Sequence, residues 1–124
     1  MTQAYVETSW LLDRRGGSEG TTFLPLEFSA VVTSTVTQVE VARTLRRDDP
    51  HAEVDLAVHE SLLGVDALPV SERVVALACR LPVRHLKSLD AIHVASALIT
   101  RCDIVLTRDR QMARACEELG LQVA

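Results

Sequence analysis

Aromatic residues and long apolar runs are scarce in this sequence. Phenylalanine, tyrosine and tryptophan make up 3% of its 124 residues, too few for a protein that stacks the bases of single-stranded nucleic acid on aromatic side chains. No stretch approaches the roughly 18 uninterrupted apolar residues of a membrane span, and the first residues carry neither the basic nor the apolar part of a secretion signal. These absences predict a soluble protein that is not exported and has no membrane partner.

Cysteine pairs and phosphate-binding glycine loops are missing as well. The three cysteines are far apart and show no Cys-x-x-Cys spacing, which indicates a reducing, cytoplasmic setting. The one glycine-rich patch, at residues 16–20, lacks the spacing of nucleotide-binding loops. A net charge of −4 argues against a protein that binds nucleic acid through the phosphate backbone alone. A nuclease can still be acidic, because its bound cations reverse the local field.

The hydrophobic residues, 48% of the chain, fall into alternating strand-like and helix-like segments. Strands are predicted at residues 4–7, 30–34, 65–70, 102–106 and 121–123, the third of them at a sheet edge because it contains Pro69. Helices are predicted at residues 8–15, 22–28, 35–45, 50–63, 88–99 and 111–119, with another that Ser71 caps and that ends before Pro82. This alternation predicts a single α/β domain, residues 1–124, in three layers: a short central parallel sheet flanked by helices.

The segment from Ser88 to Ile99 is predicted to form a central, mostly buried helix with Ser88 as its N-cap. Apolar residues recur with helical spacing at Ala91, Val94, Ala95 and Leu98. Asp90 and His93 are the polar exceptions, and they share one face of this helix. The helix dipole alone could explain an acid in the first turn, and His93 is expected to be a hydrogen-bonded core residue. A further role for Asp90 depends on whether other acids reach the same place.

Three further acids, Glu7, Glu40 and Asp109, follow strands or open helices near the same edge of the predicted sheet. Each has a purely structural alternative: Glu7 as an exposed acid at a strand end, Glu40 as the partner of Thr37 in a capping box, and Asp109 as an N-cap. Right-handed βαβ connections, however, bring the carboxyl ends of parallel strands to one side. Four carboxylates gathered there would not all stay ionised without cations. The pattern therefore favours a site for a hard divalent cation, Mg²⁺ or Mn²⁺.

The stretches that contain these acids resemble the successive motifs of the PIN domain, and specifically those of VapC-type toxin ribonucleases. They run from Tyr5 to Ser9, Thr35 to Arg43, Ser88 to Ala97 and Val105 to Asp109. The resemblance keeps the order and spacing of the motifs over essentially the whole chain. It implies an endoribonuclease of a toxin–antitoxin system that depends on Mg²⁺ or Mn²⁺ and works as a homodimer. Its partners would be an RNA substrate and a small antitoxin protein that covers the acidic site.

The resemblance also implies roles for individual residues. The catalytic residues and metal ligands would be the four acids Glu7, Glu40, Asp90 and Asp109. Supporting hydroxyl groups would come from Thr8 and Thr107, and contacts to the RNA backbone from the rim residues Arg108, Arg84 and Lys87. The first motif departs from the family, because Glu7 stands where aspartate is usual. The additional methylene moves the carboxylate by roughly 1–1.5 Å, so we expect weakened catalysis that Glu7→Asp would increase.

Two other functions stay open at this point. A PIN fold degraded at Glu7 would bind a partner without cutting RNA. A phospho-acceptor receiver domain has a similar length and acidic strand ends, but it needs a lysine at the end of a later strand. The only lysine of this chain, Lys87, lies ahead of a predicted helix instead.

Overall fold

The computed structural model describes residues 2–15 and 28–124. Within these ranges the strands are β1 (Thr2–Val6), β2 (Phe28–Ser34), β3 (Asp66–Leu68), β4 (Ile104–Leu106) and β5 (Gln122–Val123). The helices are α1 (Thr8–Arg15), α2 (Val36–Asp48), α3 (Val54–Ser61), α4 (Glu72–Arg80), α5 (Ser88–Ile99) and α6 (Arg110–Glu118). The predicted helix at 22–28 and the glycine-rich patch lie outside the described residues, except that Phe28 opens β2. Among the helices described, none has the length and apolar character needed to cross a membrane.

The strands form one parallel sheet in the order β3-β2-β1-β4-β5. Strand β1 is central: Tyr5 pairs with Val32 of β2 on one side and with Val105 of β4 on the other. The chain first adds strands on one side of β1 and then on the other, so the order reverses between β1 and β4. In open parallel sheets, such a reversal leaves a crevice at the carboxyl ends of the strands, where ligands bind. Strand β3 is at the edge, as Pro69 predicted.

The sheet separates two apolar cores because neighbouring residues of β1 point to opposite faces. The core around Tyr5 contains Val94, Ala97, Cys102, Val105, Met112 and Cys116, from α5, β4, α6 and the loop before β4. The core around Ala4 and Val6 contains Trp10, Leu11, Val31 and Leu106. Helices thus cover both faces of the sheet, which confirms the predicted three-layer α/β fold.

Helix α5 has the predicted bounds, and it is buried from His93 to Ala97. Its small side chains allow this close packing against the sheet. One detail of the prediction is wrong, because Ser88 is the first helical residue. The N-cap is Lys87, whose side chain makes no capping hydrogen bond.

Helix α3 starts later than the Asp49-Pro50 signal predicted. Oδ1 of Asp49 accepts a hydrogen bond from the backbone N of His51 (2.9 Å), and the backbone N of Ala52 donates to the carbonyl oxygen of Asp49 (3.1 Å). These bonds close a separate turn after α2, so α3 begins at Val54. Aspartate followed by proline opens turns as well as helices, and here the turn is formed.

Candidate active site

Glu7 directly follows the central strand β1, and its side chain is 5% exposed. Its Oε2 accepts hydrogen bonds from the backbone N of Ser9 (3.1 Å), from Oγ of Ser9 and from Oγ1 of Thr107 (2.8 Å). The interpretation of Glu7 as an exposed acid at a strand end is therefore wrong. The predicted cap of α1 by Thr8 or Ser9 is also wrong, because Glu7 itself caps this helix.

Thr107 and Ser9 connect Glu7 to Asp109 across the ends of β1 and β4. The Thr107 hydroxyl donates to Glu7 and accepts from the backbone N of Asp109 at 3.0 Å. Oγ of Ser9 accepts from the backbone N of Arg108 at 2.9 Å. The supporting role predicted for Thr107 thus has a concrete basis in hydrogen bonds, whereas the contribution of Ser9 was missed.

Asp109 is the N-cap of α6. Its Oδ1 accepts hydrogen bonds from the backbone N atoms of Gln111 (2.9 Å) and Met112 (3.1 Å). The structural alternative for Asp109 is therefore confirmed. The cap lies at the end of β4, next to Thr107, so the same carboxylate also belongs to the acidic edge of the sheet.

Glu40 belongs to a second network, on the other side of β1. Its Oε1 accepts hydrogen bonds from Nε2 of His93 (2.6 Å) and Oγ1 of Thr8 (2.8 Å). The capping box is wrong, because Thr37 lies inside α2, where its buried hydroxyl contacts the hydroxyl groups of Thr33 (2.8 Å) and Thr8 (3.1 Å). Thr8 follows Glu7 in the chain, so Glu40 reaches the same edge of the sheet as Glu7.

His93 joins the core to this network. It is 1% exposed, and Nδ1 of its ring lies 2.7 Å from the hydroxyl oxygen of Tyr5. The expectation of a hydrogen-bonded core histidine is confirmed. Sequence analysis did not foresee that its partner would be Glu40, although the position of His93 one turn after Asp90 was a signal that it faces the same edge.

The electrostatics of Asp90 show that the acids influence one another. Burial raises its pKa, and the charges of Asp109, Glu7 and Glu40 raise it further, against the opposing effect of His93. Glu40 behaves in the opposite way. Burial raises the pKa of Glu40, but the hydrogen bonds from His93 and Thr8 oppose this effect, and the pKa is lowered overall. The two networks therefore leave Asp90 as the acid with the least compensation.

The donor set fits a hydrated hard cation better than a closed metal cage. As they stand, the residues in the two described ranges contain no group of three or more acidic, histidine or cysteine side chains that could hold a metal ion. Mg²⁺, however, usually keeps several waters and takes one or two protein carboxylates. The side chain of Asp90 accepts no hydrogen bond from the described residues. A cation beside it would stabilise its ionised form and lower its raised pKa.

The basic residues predicted at the rim are exposed. Nε of Arg108 lies 3.2 Å from Oδ2 of Asp13, an exposed ion pair that contributes little to stability. Arg84 and Lys87 belong to the loop before α5. That loop lies beside α6, because Nε2 of His85 is 3.3 Å from the carbonyl oxygen of Gln111. Arg108 and this loop therefore flank Asp109.

Comparisons with known proteins agree with this geometry. The model of the PIN domain family matches residues 4–118. Ribonuclease VapC47 of Mycobacterium tuberculosis is 34% identical over 94 residues, which cover 74% of this chain and 68% of that protein. The chain therefore belongs to the PIN-domain family, among the VapC ribonucleases.

Two solved structures share the fold. VapC20 of Mycobacterium tuberculosis, described as a toxin that cleaves the sarcin-ricin loop, has a TM-score of 0.68 and 20% identity over 90% of this chain and 94% of its own. VapBC-5 from the same organism, a member of the VapBC family of toxin–antitoxin systems, has a TM-score of 0.66 and 19% identity over 99% of this chain and 98% of its own. At these identities the match supports the fold alone.

Proposed function

We propose that this protein is the endoribonuclease toxin of a toxin–antitoxin pair, and that it hydrolyses RNA phosphodiester bonds at the acidic edge of its sheet with the help of Mg²⁺ or Mn²⁺. The observation that carries the proposal is that Glu7 and Asp109 follow the neighbouring parallel strands β1 and β4 and both contact the hydroxyl of Thr107, close enough to Asp90 for their charges to act on it. A cluster of that kind is characteristic of sites that use cations.

The residues divide the work as follows. Glu7, Asp90, Asp109 and Glu40 would hold a hydrated cation, one or two of them directly and the others through its waters. Thr107 and Ser9 keep the carboxylate of Glu7 in place. When bound, the cation supplies an activated water at neutral pH and stabilises charge on the phosphoryl oxygens. Glu40 or Asp109 orients the attacking water. The exposed rim residues Arg108, Arg84 and Lys87 bind phosphates of the RNA backbone.

The alternative, a weakened PIN-fold binding module, is less well supported because the glutamate in the first motif is specifically held. Hydrogen bonds from Ser9 and Thr107 both reach Oε2 of Glu7, and Oε1 accepts none from the described residues. The longer side chain is therefore fixed at one oxygen and has the other available for a ligand.

Further parts of the proposal concern assembly and setting. The chain is one domain that acts in the cytoplasm as a homodimer, and a small antitoxin covers its acidic site. The thiol groups of Cys79, Cys102 and Cys116 are free, as a reducing setting requires. Exposed apolar side chains on α2 and α3, Val39 and Leu56, offer area for such contacts.

The decisive experiment compares RNA cleavage by the wild type, Asp90→Asn and Asp55→Asn, with Mg²⁺ and with EDTA. Asp55 is the matched control, because it is also an acid in the first turn of a helix, but it is exposed on α3. We expect wild-type cleavage only with metal, a loss of at least about 100-fold in Asp90→Asn, and no change in Asp55→Asn. Equal cleavage by all three proteins, or cleavage in EDTA, would contradict the proposal.

A further inference from the structure

A buried polar chain runs from the centre of the sheet to the acidic edge. Tyr5, on the central strand β1, is fully buried, and its hydroxyl contacts Nδ1 of His93 at 2.7 Å. Nε2 on the other side of the ring contacts Oε1 of Glu40 at 2.6 Å. The chain thus joins β1, α5 and α2, and the function proposed above does not use its first two members.

The chemistry of the three groups fixes the direction of each hydrogen bond. A glutamate carboxylate only accepts hydrogen bonds, so Nε2 of His93, 2.6 Å from Oε1 of Glu40, must carry a hydrogen and donate it. A tyrosine phenol is uncharged near neutral pH, so Tyr5 keeps its own hydrogen. That hydrogen can be donated to Nδ1 when Nδ1 presents a lone pair.

Thr8 completes the arrangement. Its hydroxyl has a single hydrogen, and the shortest contact, 2.8 Å, is to the same Oε1 of Glu40. Oε1 therefore accepts two hydrogen bonds, one from a ring that is itself held by Tyr5. Within the described residues, no hydrogen bond reaches Oε2, so this oxygen is the one left for a ligand.

We propose that His93 is a positioning residue for Glu40. The hydroxyl of Tyr5 donates to Nδ1 and thereby selects the ring tautomer with its hydrogen on Nε2. This Nε2–H and the hydroxyl of Thr8 both donate to Oε1 of Glu40 and hold the carboxylate in one orientation. Oε2, the other oxygen, then accepts no hydrogen bond from these groups and is available to a ligand. A core that needed only volume at these positions would be filled by apolar side chains at a lower cost of desolvation. The proposal rests on the proposed function, because it assigns Glu40 to the cation or its water.

The first test needs neither metal nor substrate. Nitrogen-15 NMR of the histidine rings in the metal-free protein distinguishes a ring nitrogen that carries hydrogen from one that presents a lone pair. For His93 we expect hydrogen on Nε2 and a hydrogen-bonded lone pair on Nδ1, and in Tyr5→Phe a clear shift of the Nδ1 resonance. Hydrogen on Nδ1, alone or together with Nε2, would overturn the proposal.

The second test measures Mn²⁺ binding by calorimetry, and RNA cleavage, for folded variants. Loss of a group that orients a metal ligand typically costs about 10–100-fold in affinity or activity. We expect a weakening of about 10-fold in Mn²⁺ affinity for Tyr5→Phe and a greater loss for His93→Leu, with the KM for RNA unchanged. His93→Gln should recover part of the loss, because its amide N–H can donate to Glu40.

Thr100→Val is the matched control. It removes a hydroxyl at the far end of α5 that donates only to the carbonyl oxygens of Ser96 and Ala97, so Mn²⁺ affinity should not change. Wild-type affinity and cleavage in both Tyr5→Phe and His93→Leu would overturn the proposal. A wild type that neither binds Mn²⁺ nor cleaves RNA would contradict the proposed function instead, and the NMR experiment would still decide the tautomer of His93.

Discussion

Asp90 is the residue for which two electrostatic effects compete. Its place in the first turn of α5 is worth roughly 0.3–1 kcal/mol through the helix dipole, but burial and the charges of Asp109, Glu7 and Glu40 raise its pKa overall. A raised carboxyl pKa means that the ionised form is less stable in the folded protein than in the unfolded chain. Repulsion and burial therefore outweigh the helix dipole.

We predict that Asp90→Asn stabilises the metal-free protein, on the order of 0.5 kcal/mol or about 2 °C in Tm. The gain should be complete above the folded-state pKa of Asp90. It should be absent below the usual aspartate pKa of 3.8, because the group is then neutral in both states. Thermal unfolding at pH 7 and pH 3 measures this. The control Asp55→Asn should be neutral or slightly destabilising, and a lower Tm for Asp90→Asn at pH 7 would show that Asp90 is a structural cap.

The hydrogen bonds of Glu7 change one expectation drawn from the sequence. The longer side chain suggested that Glu7→Asp would increase cleavage, but the structure shows Oε2 held by Ser9 and by Thr107. We now predict that Glu7→Asp lowers cleavage and costs about 1–2 kcal/mol of stability, because the shorter side chain loses bonds to a buried carboxylate. Urea unfolding and single-turnover cleavage test this, and a faster enzyme of unchanged stability would restore the earlier expectation.

At the scale of elements, Asp109 has two roles: it caps helix α6 and it belongs to the candidate active site. Asparagine is as good an N-cap as aspartate, whereas alanine removes the cap and costs about 1 kcal/mol. We therefore predict that Asp109→Asn keeps the stability of the protein and loses RNA cleavage, and that Asp109→Ala loses both. Urea unfolding and cleavage of both variants test the prediction. Equal destabilisation by the two would mean that the charge, not the cap, holds the start of α6.

The elements also show what could be predicted from the sequence. The bounds of α5 were correct because a regular apolar stripe marks its whole length. The start of α3 and the capping box at Thr37 were wrong because each signal consists of two or three residues that also suit a turn or a different partner. At Asp49 the turn formed instead of the helix start, and at Thr37 the hydroxyl contacts residues of other elements, which a local pattern does not contain.

For the molecule as a whole, the edge of the sheet near which the acids lie was predictable, but their hydrogen-bond partners were not. Parallel strands with right-handed crossovers have only one side on which their carboxyl ends can gather. The side chains that hold each acid come from 100 residues away for Glu7 and Thr107, and from 53 for Glu40 and His93. Which hydroxyl or ring fills such a place depends on the packing of the whole core, so sequence reasoning missed Ser9, Tyr5 and the pairing of His93 with Glu40.

The net charge of −4 limits how the whole molecule attracts RNA. With the three rim cations as its main phosphate contacts, binding of a short single-stranded RNA should weaken with salt at a slope of about −2 in log K against log salt, since each contact contributes about −0.7. Binding is measured with Asp90→Asn, which does not cut. In that protein, Arg84→Ala, Lys87→Ala and Arg108→Ala should each reduce the slope by about 0.7.

Arg73→Ala is the control for these measurements. Arg73 lines a surface cavity together with Leu98 and Ile99, which are at the opposite end of α5 from Asp90. Its removal changes the net charge as much as each rim variant does, so it separates a local contact from the general field of the protein. The slope should stay at its original value in Arg73→Ala. The same reduction in all four variants would mean that RNA senses only the overall charge, and that the rim beside Asp109 is not its path.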